Sequence, residues 1–264
     1  MNKEKMARTI PSAALSSTGK TIPLLGFGTA DYPFLSDNEA VKESVLHAIE
    51  LGYRHFDTAE LYQSERSLGQ AIAEALRLGF IKSRDELFIT SKLWTGHAHR
   101  ELVLPCTAKF SQESGNRVSR SLSNSFSGKL EAGDRFGSRR KLREFCKKKG
   151  VHITAYSPLG AKGTVWGSNR VLESEVLKEI ATARGKTVAQ VSLRWVYEQG
   201  VSLVVKSFNK KRMKENLDIF DWKLSAEELQ KIEQIAQYRV NRAEFYVSEE
   251  GPFKSVETIW DGEI

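Results

Sequence analysis

The sequence predicts an α/β fold of parallel strands joined by helical crossovers, a (β/α)8 barrel that is incomplete. Three observations carry this expectation. Short apolar runs alternate with amphipathic helical stretches, the order a parallel sheet needs because each crossover must span the sheet. Polar residues able to do chemistry follow directly on the strand ends, at Asp57, Lys92, Tyr156-Ser157 and Lys206-Ser207. The C-terminal rim of such a barrel is where its sites are built. Five strands are legible, whereas a closed barrel of this kind has eight.

In chain order, Leu24–Gly28 is a short apolar run ending in glycine. Ser36 or Asp37 can cap a helix whose Val41, Val45, Ala48 and Ile49 share one face, with Gly52 as its stop. Tyr53–Asp57 reads as a strand. Ser64 then caps a helix with Leu68, Ile72, Ala75 and Leu76 on its apolar face and Gly79 at its end. Leu87–Ser91 is the next strand. Further on come helix Arg139–Lys149, strand Val151–Tyr156, helices Glu173–Arg184 and Val188–Glu198, and strand Val201–Lys206. Asn209 can cap helix Lys210–Leu217, and Ser225-Ala226-Glu227-Glu228 forms a capping box for the last helix.

Between these flanks, Cys106–Ser138 follows neither a helical nor a strand period. The chain is expected to be one domain over 1–264, with 106–138 a disordered insert standing where barrel units four to six belong. Thirty-three residues without a period cannot replace three strand–helix units.

Composition excludes several classes of function. At 264 residues, 40% hydrophobic and 28% charged, the chain can build a core. No run approaches the roughly 20 apolar residues of a membrane span, and Met1–Lys20 lacks a secretory apolar stretch. Two cysteines, Cys106 and Cys146, make no disulfide framework, which fits a cytoplasmic setting. The net charge of +7 owes much to Arg139–Arg143 and Lys147–Lys149. There Leu142, Phe145 and Cys146 fall at helical spacing, as in an amphipathic helix with a solvated basic face. No aromatics interleave as nucleic-acid stacking would need, and no histidine or cysteine spacing suits a metal.

Two groups carry chemistry. Asp57, Tyr62 and Lys92 follow the second and third strands. A carbonyl that accepts hydride needs a proton at the developing alkoxide. A tyrosine supplies it if an adjacent ammonium draws its pKa down from about 10, and a carboxylate holds that ammonium. Spacing alone equally allows Asp57 to cap a turn and Lys92 to be a surface cation. Val204–Asn209 runs into a helix bearing Arg212, Glu215 and Asn216. A helix start flanked by Lys206 and Arg212 suits a phosphate, and two cations suit the extra phosphate of NADP(H); an ordinary capped helix with surface charges is the other reading. Gly26-Phe27-Gly28-Thr29 lacks the third glycine of a dinucleotide fingerprint.

Several motifs in register resemble the aldo-keto reductases. They are Gly26–Ala30, Gly52–Ala59 with Tyr62, Ile89–Trp94, Thr154–Gly160 and Lys206–Asn209, and the closing Trp260–Ile264 is similar to a plant branch active on specialised metabolites. The resemblance implies reduction of a small aldehyde or ketone with NADPH by a monomer, with no nucleic-acid or membrane partner and no metal. It implies Tyr62 as general acid, tuned by Lys92 and Asp57. It places Gly28, Thr29 and Tyr156 at the nicotinamide, and Ser157 and Leu159 along the pyrophosphate. Lys206, Ser207, Phe208, Asn209, Arg212, Glu215 and Asn216 would hold the adenosine end, while Trp94 and Trp260 would shape the substrate pocket.

This chain departs from the family in lacking its Leu-Ile-His motif after the fourth strand, where a histidine orients the carbonyl. The Ser-Asn and Gln residues that hold the carboxamide are also missing, and His97, His99 and His152 stand elsewhere. The window has a testable origin. Back-translated with permitted codons and read one nucleotide later, Cys106–Phe126 can spell Ala-Leu-Gln-Asn-Ser-Leu-Lys-Asn-Leu-Gly-Ile-Glu-Tyr-Leu-Asp-Leu-Tyr-Leu-Ile-His. That is an amphipathic helix and a strand ending in the family's histidine. The hypothesis is a frame slip after Pro105, regained before Arg139. Stop codons in the shifted frame of the coding sequence would sink it.

Overall fold

The structure, a computed structural model, describes residues 9–15, 19–34, 39–92, 140–164, 167–236, 244, 247–251 and 253–259. Trp94, Trp260, the window 106–138 and the expected caps Ser36 and Asp37 lie outside the described residues. The elements are strands β1 (Ser12–Ala14), β2 (Thr21–Pro23) and β3 (Leu25–Gly28), helix α1 (Glu39–Glu50), β4 (His55–Asp57), α2 (Glu65–Arg77) and β5 (Phe88–Thr90). After the undescribed stretch come α3 (Arg140–Lys148), β6 (Thr154–Tyr156), α4 (Arg170–Glu173), α5 (Glu175–Arg184), α6 (Val188–Glu198), β7 (Ser202–Val205), α7 (Lys210–Glu215), α8 (Ala226–Glu233) and α9 (Val256–Ile259).

Five strands form one sheet in the order β5-β4-β3-β7-β6, every neighbouring pair parallel, the curled sheet of an incomplete (β/α)8 barrel. Register aligns the C-terminal ends: Gly28 pairs with Asp57 and Asp57 with Thr90, while Phe27 pairs with Val205 and Tyr156 with Val204. The inner strands are buried on both faces, as a sheet covered on both sides requires. β3, β4 and β7 are wholly buried, whereas β6 at the sheet margin is half-buried throughout.

Helices cover the outer face with the stripes their spacing demands. α1 buries Val41, Val45, Ala48 and Ile49, and α2 buries Leu68, Ala71, Ile72 and Ala75, against a core that includes Phe27, Phe56 and Leu203. Each fully buried Leu or Ile stabilises the fold by roughly 1.5–3 kcal/mol. Tyr53 is fully buried between β4 and α7, and its hydroxyl donates to the Met213 carbonyl (2.9 Å).

The structure revises several expected elements. An antiparallel hairpin, β1 with β2, precedes the barrel and was not foreseen. The expected helix Glu173–Arg184 begins two residues later, as α5, because Ser174, with extended backbone (φ −61°, ψ 120°), caps it, and a separate turn, α4, ends at Glu173. Ser64 occupies the N-cap of α2 without capping it. The basic helix α3 forms with Lys147 and Lys148 exposed, but Phe145 is 57% exposed, so no apolar stripe is sealed there among the described residues. Asn209 and Ser225 cap as expected, Ser225 in a full capping box.

Candidate active site

Strand register builds the first half of the site. Because Asp57 pairs with Thr90, Lys92 comes beside Asp57 just beyond the ends of β4 and β5. The Lys92 ammonium donates to Asp57 Oδ1 (2.6 Å) and to the Thr58 carbonyl (3.0 Å). Two backbone bonds, Thr58 N–H to Thr90 O (2.8 Å) and Glu60 N–H to Lys92 O (3.2 Å), tie the two rim segments together. The pair is largely enclosed, with side chains 23% and 13% exposed.

Tyr62 closes a 3-10 turn over Glu60–Tyr62, which ends at Gln63 in the left-handed region (φ 52°). The turn brings its ring under Lys92, whose Nζ lies 4.9 Å from the ring centroid. Phe34 stacks on the Tyr62 ring, with centroids 5.2 Å apart, and Tyr32 meets Phe34 edge-on. The structure thus brings together all three residues expected to act as a relay.

The electrostatics correct one expectation. Burial pushes the Tyr62 phenol above its ordinary range, and Lys92 offsets this only in part, so the tyrosine is not drawn toward neutrality. Burial opposes the Lys92 ammonium as well, but Asp57 and then Tyr62 outweigh it and raise Lys92 above the usual lysine value. Near neutral pH the group therefore holds a protonated phenol beside a firmly charged ammonium.

A hydroxyl chain that sequence reasoning missed fixes the Asp57 backbone. The Asp57 carbonyl accepts from the Thr29 N–H (3.0 Å) and the Thr29 hydroxyl (3.1 Å). Ser64 Oγ bonds Thr29 Oγ1 (2.7 Å) and Thr58 Oγ1 (2.9 Å), which is why it does not cap α2. A second missed pair is the buried Ser91 hydroxyl donating to Glu65 Oε1 (2.6 Å). Neither pair is signalled by local sequence, since the partners of Ser64 and Ser91 come from other segments of the chain.

Below the relay, His55 is 1% exposed. Its Nδ1 bonds the Pro23 carbonyl (3.0 Å), its Nε2 has no partner among the described residues, and burial lowers its pKa to about 4. Gly26 is required here, since a Cβ would meet His55 Nδ1 at 2.7 Å and Val204 Cγ1 at 2.8 Å. Gly28 differs: a Cβ there would make only ordinary van der Waals contact, the nearest atom being Lys206 Cβ at 3.8 Å. His152 sits before β6, bonded to Ser202 Oγ (3.0 Å), away from this rim.

The second half of the site lies on the other side of Gly28, after β7. Lys206 Nζ bonds Asp31 Oδ1 (2.8 Å) and stands 4.3 Å from the Phe208 ring centroid. Ser207 Oγ accepts from the Asn209 N–H (3.2 Å) and from Arg212 Nε (3.5 Å). Asn209 Oδ1 is committed to the Arg212 N–H (3.0 Å), Asn216 is buried, and the Glu215 carbonyl accepts from Gln190 Nε2 (2.9 Å). At the end of β6, Tyr156 is half-buried and Ser157 adopts φ 50°, a left-handed conformation uncommon for serine. Leu159, just beyond, is half-buried and packs against the core.

Among the described residues no three potential ligands gather for a metal, and no helix is long and apolar enough to cross a membrane. An enclosed Asp–Lys–Tyr group and a pair of accessible cations thus share one strand-end rim.

The chain is 51% identical to a (1S)-1,7-diacetoxy-luvungin A aldo-keto reductase of Citrus sinensis, over 98% of this chain and all of that one. That match extends over 321 residues, at least 57 more than the 264 present here. It is 45% identical to an NADPH-dependent codeinone reductase of Papaver somniferum, over 96% of this chain and 98% of that one. A crystal structure of a Bombyx mori aldo-keto reductase in complex with NADP superposes with a TM-score of 0.72 at 26% identity, covering 86% of this chain and 92% of that one. The model of the Aldo/keto reductase family matches residues 24–121 and 137–237, stretches that hold both halves of the rim, and the chain belongs to that family.

Proposed function

We propose that this chain reduces the carbonyl of a small aldehyde or ketone to an alcohol with NADPH, as a cytosolic monomer, with Tyr62 as the proton donor. The observation that carries the reading is Lys92 held between Asp57 Oδ1 (2.6 Å) and the Tyr62 ring (4.9 Å to its centroid). NADPH supplies a hydride to the carbonyl carbon when bound. The Tyr62 phenol gives its proton to the carbonyl oxygen. Lys92 stabilises the phenolate left behind until solvent reprotonates it, and Asp57 keeps Lys92 in place. A phenol raised by burial is a weaker acid but is fully protonated at neutral pH, as a donor must be.

The residues present suit the cofactor. Lys206 and Arg212 supply two cations at the end expected to take the 2′-phosphate. Thr29, Tyr156, Ser157 and Leu159 would line the rest of its path, and Trp94 and Trp260 would wall the substrate pocket.

One observation favours a second reading, a chain that binds NADPH but reduces carbonyls poorly. At least 57 residues of the Citrus relative have no counterpart here, and the sequence lacks the Leu-Ile-His motif. Loss of one proton-handling or orienting group costs on the order of 10²-fold or more. NADPH consumption with a panel of aromatic aldehydes and ketones, beside calorimetric NADPH binding, separates the two. Binding with turnover supports the first reading and binding without it the second. Absence of binding overturns both.

A further inference from the structure

The ion pair between Lys206 and Asp31 joins the loop after β7 to the loop after β3, 175 positions apart in the chain. We infer that Asp31 competes with the cofactor's 2′-phosphate for the Lys206 ammonium and so sets how strongly this chain prefers phosphorylated dinucleotides. The inference rests on the NADPH reading above and deepens it.

Three observations support it. The pair is short (2.8 Å) yet accessible, with side chains 36% and 30% exposed, so an incoming anion can reach it and the exchange is not blocked by burial. Lys206 also lies against the Phe208 ring, which fixes the ammonium at the spot where Asp31 meets it. Arg212, by contrast, donates only a long 3.5 Å bond to Ser207 Oγ and has no carboxylate partner among the described residues. Of the two cations, one is therefore engaged by a carboxylate and the other is available.

A dianionic phosphate arriving at Lys206 must displace the Asp31 carboxylate or settle beside it. Displacement costs the ion pair, and crowding costs like-charge repulsion. A nucleotide without the 2′-phosphate meets neither cost. Asp31→Asn keeps the shape of the side chain and removes both.

Calorimetry on the full chain with adenosine 2′,5′-bisphosphate and with adenosine 5′-monophosphate tests this without turnover. Exposed charge pairs contribute about 0.2–1 kcal/mol. Asp31→Asn should therefore bind the bisphosphate roughly 1.4- to fivefold tighter, with the monophosphate unchanged. In the Lys206→Met background the gain should vanish. Asp31→Ser, checked for an unaltered melting temperature, serves as the second variant should Asp31→Asn fold poorly. Equal or weaker bisphosphate binding in the Asp31 variants, with the wild type binding well, overturns the inference and leaves the cofactor reading standing. No bisphosphate binding by any of the chains overturns both.

Discussion

The two halves of the rim are built differently. At the ends of β4 and β5, Asp57 and Lys92 are set by strand register, enclosed, and braced by a hydroxyl chain through Thr29, Ser64 and Thr58. Beyond β7, Lys206 and Arg212 stand on a loop and a short helix, and their contacts are long or open to solvent. The first half is organised before any ligand arrives. The second holds its cations in contacts a ligand can replace. Catalysis needs fixed geometry at the reacting atoms, whereas a cofactor that comes and goes needs reversible contacts.

The contrast breaks if both halves respond alike to substitution. Tyr62→Phe should lower carbonyl reduction by roughly 10²–10⁴-fold while NADPH binding is kept, as steady-state rates and calorimetry would show. Lys92→Met should destabilise the fold by about 3 kcal/mol in urea titration, because it leaves the Asp57 carboxylate enclosed without its partner. A loss below about 0.5 kcal/mol would place the pair among ordinary surface bridges.

His55, under the relay, sharpens the picture through pH. Its pKa is about 4 in the fold against 6.5 unfolded, so between these values the unfolded chain binds the extra proton. Stability should therefore fall as pH drops from about 6.5 to about 4 and level off below, a change on the order of 3 kcal/mol. In His55→Asn that part of the profile should flatten; an unchanged profile would exclude His55 as its source. The smallest effect belongs to the open half. Lys206→Met should weaken NADPH binding by roughly tenfold and leave urea stability within about 0.5 kcal/mol.

The parts legible in the sequence are those that local rules decide. Asp57 and Lys92 could be placed because strand ends in a parallel barrel share one rim, and Asn209 and Ser225 because a cap is a matter of a few residues. Ser64 looked like a cap for the same reason, yet Thr29 and Thr58, just past β3 and β4, claim its hydroxyl. The start of the helix at Glu175 rather than Glu173 escaped, since periodicity places the apolar stripe but not the cap at Ser174. The direction of the Tyr62 shift escaped because charge partners can be read from a motif but burial cannot. Asp31 lay outside every motif; only the fold shows that the loop after β3 meets the loop after β7.

The most direct test of the central claim is single-turnover reduction of a small aromatic aldehyde by the full chain loaded with NADPH, set beside Tyr62→Phe loaded equally. Loss of reduced-nicotinamide absorbance matched by alcohol formation in the wild type, at least about 100-fold slower in the variant, is the result this account predicts. Equal rates in the two, or no alcohol from either, would contradict it.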